Sequence, residues 1–317
     1  MIKAITFNGP ARVPIYFFNR DQDQSDIVAI EVQNHFMGPD KNISEWGFTW
    51  KRLDETMGQP QNYVLADWHN LKNLDIPDPT APRRFAGIPS FNRKYPESFR
   101  MAALGLSGFT TMWCLRDFEK LMLDVVIDPE KVNTLAEIVF GFEELLIAEL
   151  PRFNFDAVAF FDDWGTQTGM IISPKHWRKF FKPRYERQFN LVHDLGMYVY
   201  FHSCGQYLSI IQDLIEIGVD VLNISQPNMY DISELGRRFG GEVCFICPVS
   251  YQTTSISGTR EEVFEDVRLL IENLGDFNGG LIGYVEEYHS IGLSEENYQA
   301  CVDAFKTLGK YPVSRRR

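Results

Sequence analysis

From about residue 129 onward the apolar positions follow two alternating rhythms: stripes recurring every three to four residues, and short apolar runs bounded by turn residues. Asp128 and Pro129 open a helix through "EKVNTLAEIVFGFEELLIAEL", and "DAVAFF" then reads as a buried strand ending at Asp162 and Asp163. Ser173 and Pro174 start "SPKHWRKFFKPRYERQFNLVHDLG", a helix that Pro183 should kink or divide, before the strand "YVYFHSCG". The alternation continues through helix "LSIIQDLIEIG", strand "VDVLNIS", helix "ISELGRRFG" and strand "EVCFICPV". A capping box at Thr259 and Glu262 heads "TREEVFEDVRLLIENLG", and the last strand, "GGLIGYVEEYH", leads into helix "SEENYQACVDAFKTLG".

Five β/α units in a row predict a parallel sheet covered by helices. The first third is less regular: "RVPIYFFN" reads as a strand, whereas "SEWGFTWKRLD" and "NLDIPDPTAPRR" read as irregular insertions. No G-x-G-x-x-G follows a strand, which disfavours a doubly wound sheet. The expected fold is α/β, a (β/α)8 TIM barrel with an elaborated N-terminal third, forming a single domain over residues 1–317.

Charge narrows the partners. Forty-three acidic against 31 basic residues give a formal net charge of -12, which opposes binding to nucleic acid or to an anionic membrane. No stretch approaches the roughly 20 apolar residues of a membrane span, and the N-terminus lacks the apolar core of a signal peptide. The five cysteines are odd in number and lie mostly in apolar runs, which suits a reducing compartment. A cytoplasmic protein acting on a small molecule is expected.

In a barrel the C-terminal ends of the strands share one mouth, and each late strand here ends in a chemically useful group. Asp162 and Asp163 end one; a regular strand points them to opposite sides, so one faces the mouth as a candidate acid, base or substrate positioner and the other braces a neighbour. His202 and Cys204 fall on the same side of the next strand, and this H-x-C pair with a carboxylate or second imidazole suits zinc. Gln226 and Cys247 end two further strands as candidate substrate contacts, and Glu286, Glu287 and His289 end the last. Asn19 and Arg20 follow the first strand, where an arginine could grip a carboxylate, and Trp164 could wall a flat substrate.

"FFDDWGTQTGMIISPKHWRKFFKPRYERQF", "YFHSCGQYLSIIQDLIEIGVDVLNISQP", "SYQTTSISGTREEV" and "LSEENYQA" resemble the uroporphyrinogen decarboxylase superfamily, over about residues 99 to 309. Within it they look most like the corrinoid-dependent methyltransferase branch, which includes methylcobalamin:coenzyme M methyltransferases and the methyl-transfer proteins of O-demethylase systems. The resemblance implies a (β/α)8 barrel and, in the coenzyme M branch, a zinc held by the His and Cys of an H-x-C motif and by a cysteine near the last strand. His202 and Cys204 match the first two; Glu287 or His289 stands where that cysteine would be, depending on how "EEN" is aligned. The arginine-rich N-terminal motif of the decarboxylases is absent, with only Arg12 and Arg20 near the first strand.

On this resemblance the expected activity is methyl transfer between a small donor, such as an aryl methyl ether, and the cobalt of a cobalamin carried by a separate corrinoid protein. The chain itself has no D-x-H-x-x-G corrinoid signature. In this scheme Asp162, Asp163, Glu286 and Glu287 supply the acid–base groups. Zinc-dependent methyl transfer to a thiol is the alternative, ahead of decarboxylation or noncatalytic tetrapyrrole binding.

Overall fold

The computed structural model of the chain describes residues 1–33, 35–36, 40–52, 58–287 and 291–311. Eight strands form its main sheet: β1 (Ile15–Phe18), β2 (Ile27–Glu31), β3 (Phe99–Leu104), β4 (Ala157–Phe161), β5 (Tyr198–Ser203), β6 (Val221–Ile224), β7 (Cys244–Pro248) and β8 (Leu281–Glu286). They run in the order β1-β8-β7-β6-β5-β4-β3-β2, and every ladder pair is parallel. At the remaining seam Asp26 N donates to Ile15 O at 2.9 Å and Phe17 N to Ser25 Oγ at 2.9 Å, so β1 and β2 meet through side-chain and turn bonds. The sheet is thus a nearly closed barrel ringed by helices, the TIM fold expected from the alternation.

Five of those helices position the site: α1 (Gly108–Arg116), α2 (Pro129–Ala148), α3 (Lys182–Asp194), α4 (Arg260–Leu274) and α5 (Glu295–Leu308). Pro183 does divide its segment. A short helix, Pro174–Phe180, ends before it, and the proline sits in the first turn of α3, where its missing N–H costs no intrahelical bond. The capping box at Thr259 and Glu262 is formed in both directions.

The core has two layers, because strand residues alternate between the barrel interior and the helical shell. Ile27, Met101, Ala157, Val221 and Ile282 fill the interior, while Phe160, Phe201 and Leu222 face outward onto the helices. Two strands, β2 and β3, lie where no strand was expected, and Thr49–Lys51, within an expected irregular insertion, pairs antiparallel with Gln59–Gln61 beyond it. Among the described residues the β2-to-β3 connection carries one α-helix, the seven-residue Ile88–Lys94, and two short 3-10 helices, so the helix rhythm that marks later units is missing there. All five cysteines are free, and no described helix is long and apolar enough to cross a membrane.

Candidate active site

Alternation carries the inward positions of neighbouring strands to one rim. On β4 these are Ala157, Ala159 and Phe161, with Asp163 next in phase; on β5 they are Tyr198, Tyr200 and His202, with Cys204 next. The ladder pairs Phe161 with His202, and the chains stay together beyond it: Asp162 N donates to His202 O and Gly165 N to Cys204 O, both at 3.1 Å. Asp163 therefore lies opposite Cys204.

Two glycines permit this approach. Gly205 has φ +73°, and a Cβ there would overlap the carbonyl group of Gly165; a Cβ on Gly165 would sit 2.6 Å from Cys204 O. The glycine that follows the cysteine in "HSCG" and the one in "DDWG" are thus the two halves of one backbone contact.

The result is a compact donor cluster. Asp163, His202 and Cys204 offer an oxygen, a nitrogen and a sulfur that all lie within 4.8 Å of one another. Cys204 Sγ is 3.5 Å from His202 Nε2, which is 3.6 Å from Asp163 Oδ1. Cys204 N donates to Asp163 Oδ1 at 2.8 Å and holds the carboxylate in place. Asn223, which β6 places opposite His202, orients the imidazole: its Nδ2 donates to Ile246 O at 3.0 Å, so its Oδ1 faces His202 Nδ1 at 2.6 Å. Nδ1 must then carry the proton, leaving the Nε2 lone pair aimed at the cluster.

Burial, followed by the nearby Asp163 carboxylate, pushes the Cys204 thiol up to about 12. A cation at the cluster would oppose both effects by stabilising the thiolate. Mixed nitrogen, oxygen and sulfur donors with a half-exposed carboxylate (Asp163 side chain 48% exposed) fit zinc with an open position, and disfavour magnesium or calcium. The residues present therefore fit the expected metal, with Asp163 as the third donor.

Asp162 takes the other role. It is fully buried and caps α1, accepting from Phe109 N and Thr110 N (2.8 Å each) and from Thr110 Oγ1 (2.7 Å), and it also accepts from the Tyr185 hydroxyl. Glu143 of α2 completes that cap by accepting from Gly108 N at 2.8 Å. Trp164 is also fully buried, stacked on Phe109 at 4.5 Å between ring centroids, so it offers a substrate no surface. Cys247 is fully buried in the outer core layer. Gln226 braces the cluster, its Oε1 accepting from Gly205 N at 2.7 Å.

At the other end of the mouth, Glu286 faces inward and accepts from the Tyr284 hydroxyl at 2.7 Å. It acts electrostatically on Cys204 and Tyr251. Glu287 is outside the donor cluster, 3.9 Å from Arg20, and His289 lies outside the described residues. Arg20 is clamped to Glu295 by two 2.7 Å bonds and stacks on Tyr298, 4.1 Å from the ring centroid. Asn19 is exposed at φ +64°.

Asn223, Ser225 and Tyr251 were not anticipated. Ser225 Oγ donates toward Cys204 Sγ at 3.8 Å, and Tyr251 hydrogen-bonds Ser225. Asn223 carried a signal: it is a polar residue inside the apolar run "VLNIS" at an inward position.

Residues 52–308 match the family model for uroporphyrinogen decarboxylase (URO-D). The chain belongs to this family. No curated protein sequence matches this URO-D family member. Among solved structures, a methyltransferase from Methanosarcina mazei shares its fold, at TM-score 0.71 and 14% identity over 96% of each chain. A 3-keto-D-glucoside 4-epimerase from E. coli aligns at TM-score 0.45 and 14% identity over 70% of this chain and 83% of its own.

Proposed function

We infer that this URO-D family member is a methyltransferase, moving a methyl group between a small donor and the cobalt of a corrinoid carried by a separate protein. The observation that carries the reading is the cluster of Asp163, His202 and Cys204 at the rim of the barrel. The fold shared with the Methanosarcina mazei methyltransferase supports it.

A zinc ion held by these three residues would supply Lewis acidity to a heteroatom gaining or losing the methyl group. The chain's own groups do the rest. Asn223 fixes the tautomer of His202, the paired glycines hold Asp163 against Cys204, and Glu286 contributes negative charge that is felt at Cys204. A carboxylate in place of a second thiolate leaves the metal more electrophilic, which favours stabilising a departing oxygen, as in an aryl methyl ether, over activating a thiolate. Decarboxylation of a many-carboxylate tetrapyrrole is disfavoured because Arg20 is already bidentate to Glu295.

The test combines metal analysis with the cobalt spectrum. Purified protein should hold about one zinc, and a panel of methoxyarenes, methylamines and thiols with reduced or methylated cobalamin should contain at least one member that changes the cobalt state. Asp163→Asn, His202→Ala and Cys204→Ser should each lose zinc and transfer together. Full transfer by folded, metal-free protein would overturn the metal's role; an inert panel would overturn the methyltransferase reading.

A further inference from the structure

Directly below the donor cluster, the barrel interior ends in a floor of aromatic rings. Phe18, Phe161 and Tyr284 are the half-buried inward residues at the tops of β1, β4 and β8. Tyr16 lies one layer down, with its ring centroid 5.5 Å from Tyr284 and 5.9 Å from Phe18; Phe18 and Tyr284 are 6.1 Å apart. Phe161 lies 5.2 Å from the His202 ring, so this part of the floor adjoins the cluster.

Above this floor the mouth carries negative charge. Glu286 is held on it by the Tyr284 hydroxyl, and Asp163 stands across the opening. Arg20, two residues beyond β1, stacks on Tyr298 and is bound by Glu295. Tyr16 and Tyr200 are 3% and 2% exposed, and both feel the charge of Glu286.

The geometry points to a substrate that places a positively charged nitrogen on this floor, beside Glu286, while its reacting heteroatom sits at the Asp163–His202–Cys204 cluster. Aromatic faces attract a cation through their quadrupole, a carboxylate adds direct attraction, and the same pair repels a carboxylate or sulfonate. The substrate class is therefore a small ammonium-bearing thiol, alcohol or ether, in place of the carboxylated arene that Arg20 suggested from sequence. This deepens the metal-dependent methyl transfer proposed above and rests on it for the heteroatom's location.

The experiment uses three small thiols of similar size that differ in charge: cysteamine, 2-mercaptoethanol and 2-mercaptoethanesulfonate. Each is titrated calorimetrically into the zinc-loaded full-length protein and into the Glu286→Gln variant, at low and high salt. Cysteamine should bind at least about tenfold more tightly than 2-mercaptoethanesulfonate, with the neutral thiol between them, and the spread should shrink in Glu286→Gln and with added salt. Equal or tighter binding of the sulfonate, or a cation preference unchanged in Glu286→Gln, would overturn the inference. Because binding is read without cobalt, a cation preference with no methyl transfer would instead leave the charge assignment standing and sink the methyltransferase reading.

Discussion

Gly205→Ala is the sharpest perturbation of the site, because it alters no donor atom. The substitution has two costs. At φ +73° an L-residue is strained by about 1–2 kcal/mol, and the new methyl overlaps the Gly165 carbonyl, adding about 1–3 kcal/mol as the β4 and β5 loops are pushed apart. The total, about 2–5 kcal/mol, is a large part of the stability of a typical domain but does not exceed it. The variant should fold and be measurably weaker in urea.

Metal binding should suffer more than the fold does. The separated loops break the 2.8 Å bond from Cys204 N to Asp163 Oδ1, and metal–ligand distances tolerate only about 0.2 Å of error. Zinc affinity, measured by competition with a chromophoric chelator, should drop at least about tenfold, the loss typical when a ligand's supporting bonds are removed. Gly141→Ala is the control: an added Cβ there meets nothing within 4 Å, and it lies inside α2, so it should leave zinc affinity unchanged and raise stability by about 0.5–1 kcal/mol. Wild-type zinc affinity in Gly205→Ala would refute the idea that this backbone contact assembles the donors.

Two further outcomes follow from buried polar groups. Asn223→Ala removes the acceptor for His202 Nδ1–H and should lower zinc affinity about 10–100-fold in a folded barrel, whereas Asn223→Asp, which still accepts that proton, should retain most of it; equal losses in both would show that the tautomer is set elsewhere. Glu143 is fully buried, and burial outweighs its three N–H donors to raise its carboxyl from 4.5 to about 7, so the folded state holds a proton that the unfolded state releases. Its contribution is fully present below about pH 4.5 and is lost as pH rises through 7. Urea unfolding should therefore show about 3 kcal/mol of stability lost across that window, and Glu143→Gln should flatten the slope; an unchanged slope would mean that Glu143 is ionised in the fold.

How far the sequence reached depended on whether a signal was local. The strands from β4 to β8 were legible because each is an apolar run set between two helical stripes. The short run Ile27–Glu31 was not, since nearly 70 residues without a long helix separate it from β3 and leave no rhythm to count against. At the site, the shared side of His202 and Cys204 is a property of one strand and needs only a period of two. Choosing between Asp162 and Asp163 needed the backbone past Phe161 to remain extended, and that is decided by bonds to the neighbouring chain at His202 O and Cys204 O.

The third donor was sought on the last strand, at Glu287 or His289, because the resemblance directed attention across the barrel. In the structure the carboxylate gathered with His202 and Cys204 is that of Asp163, from the neighbouring strand. The β4–β5 register brings residue 163 opposite residue 204, and the two loop glycines let the backbones close at that level. A side chain on an adjacent strand reaches the cluster without crossing the mouth. The two proposals meet here: with Asp163 as the third donor, the last strand's Glu286 would be left to meet a substrate's charge from the opposite wall.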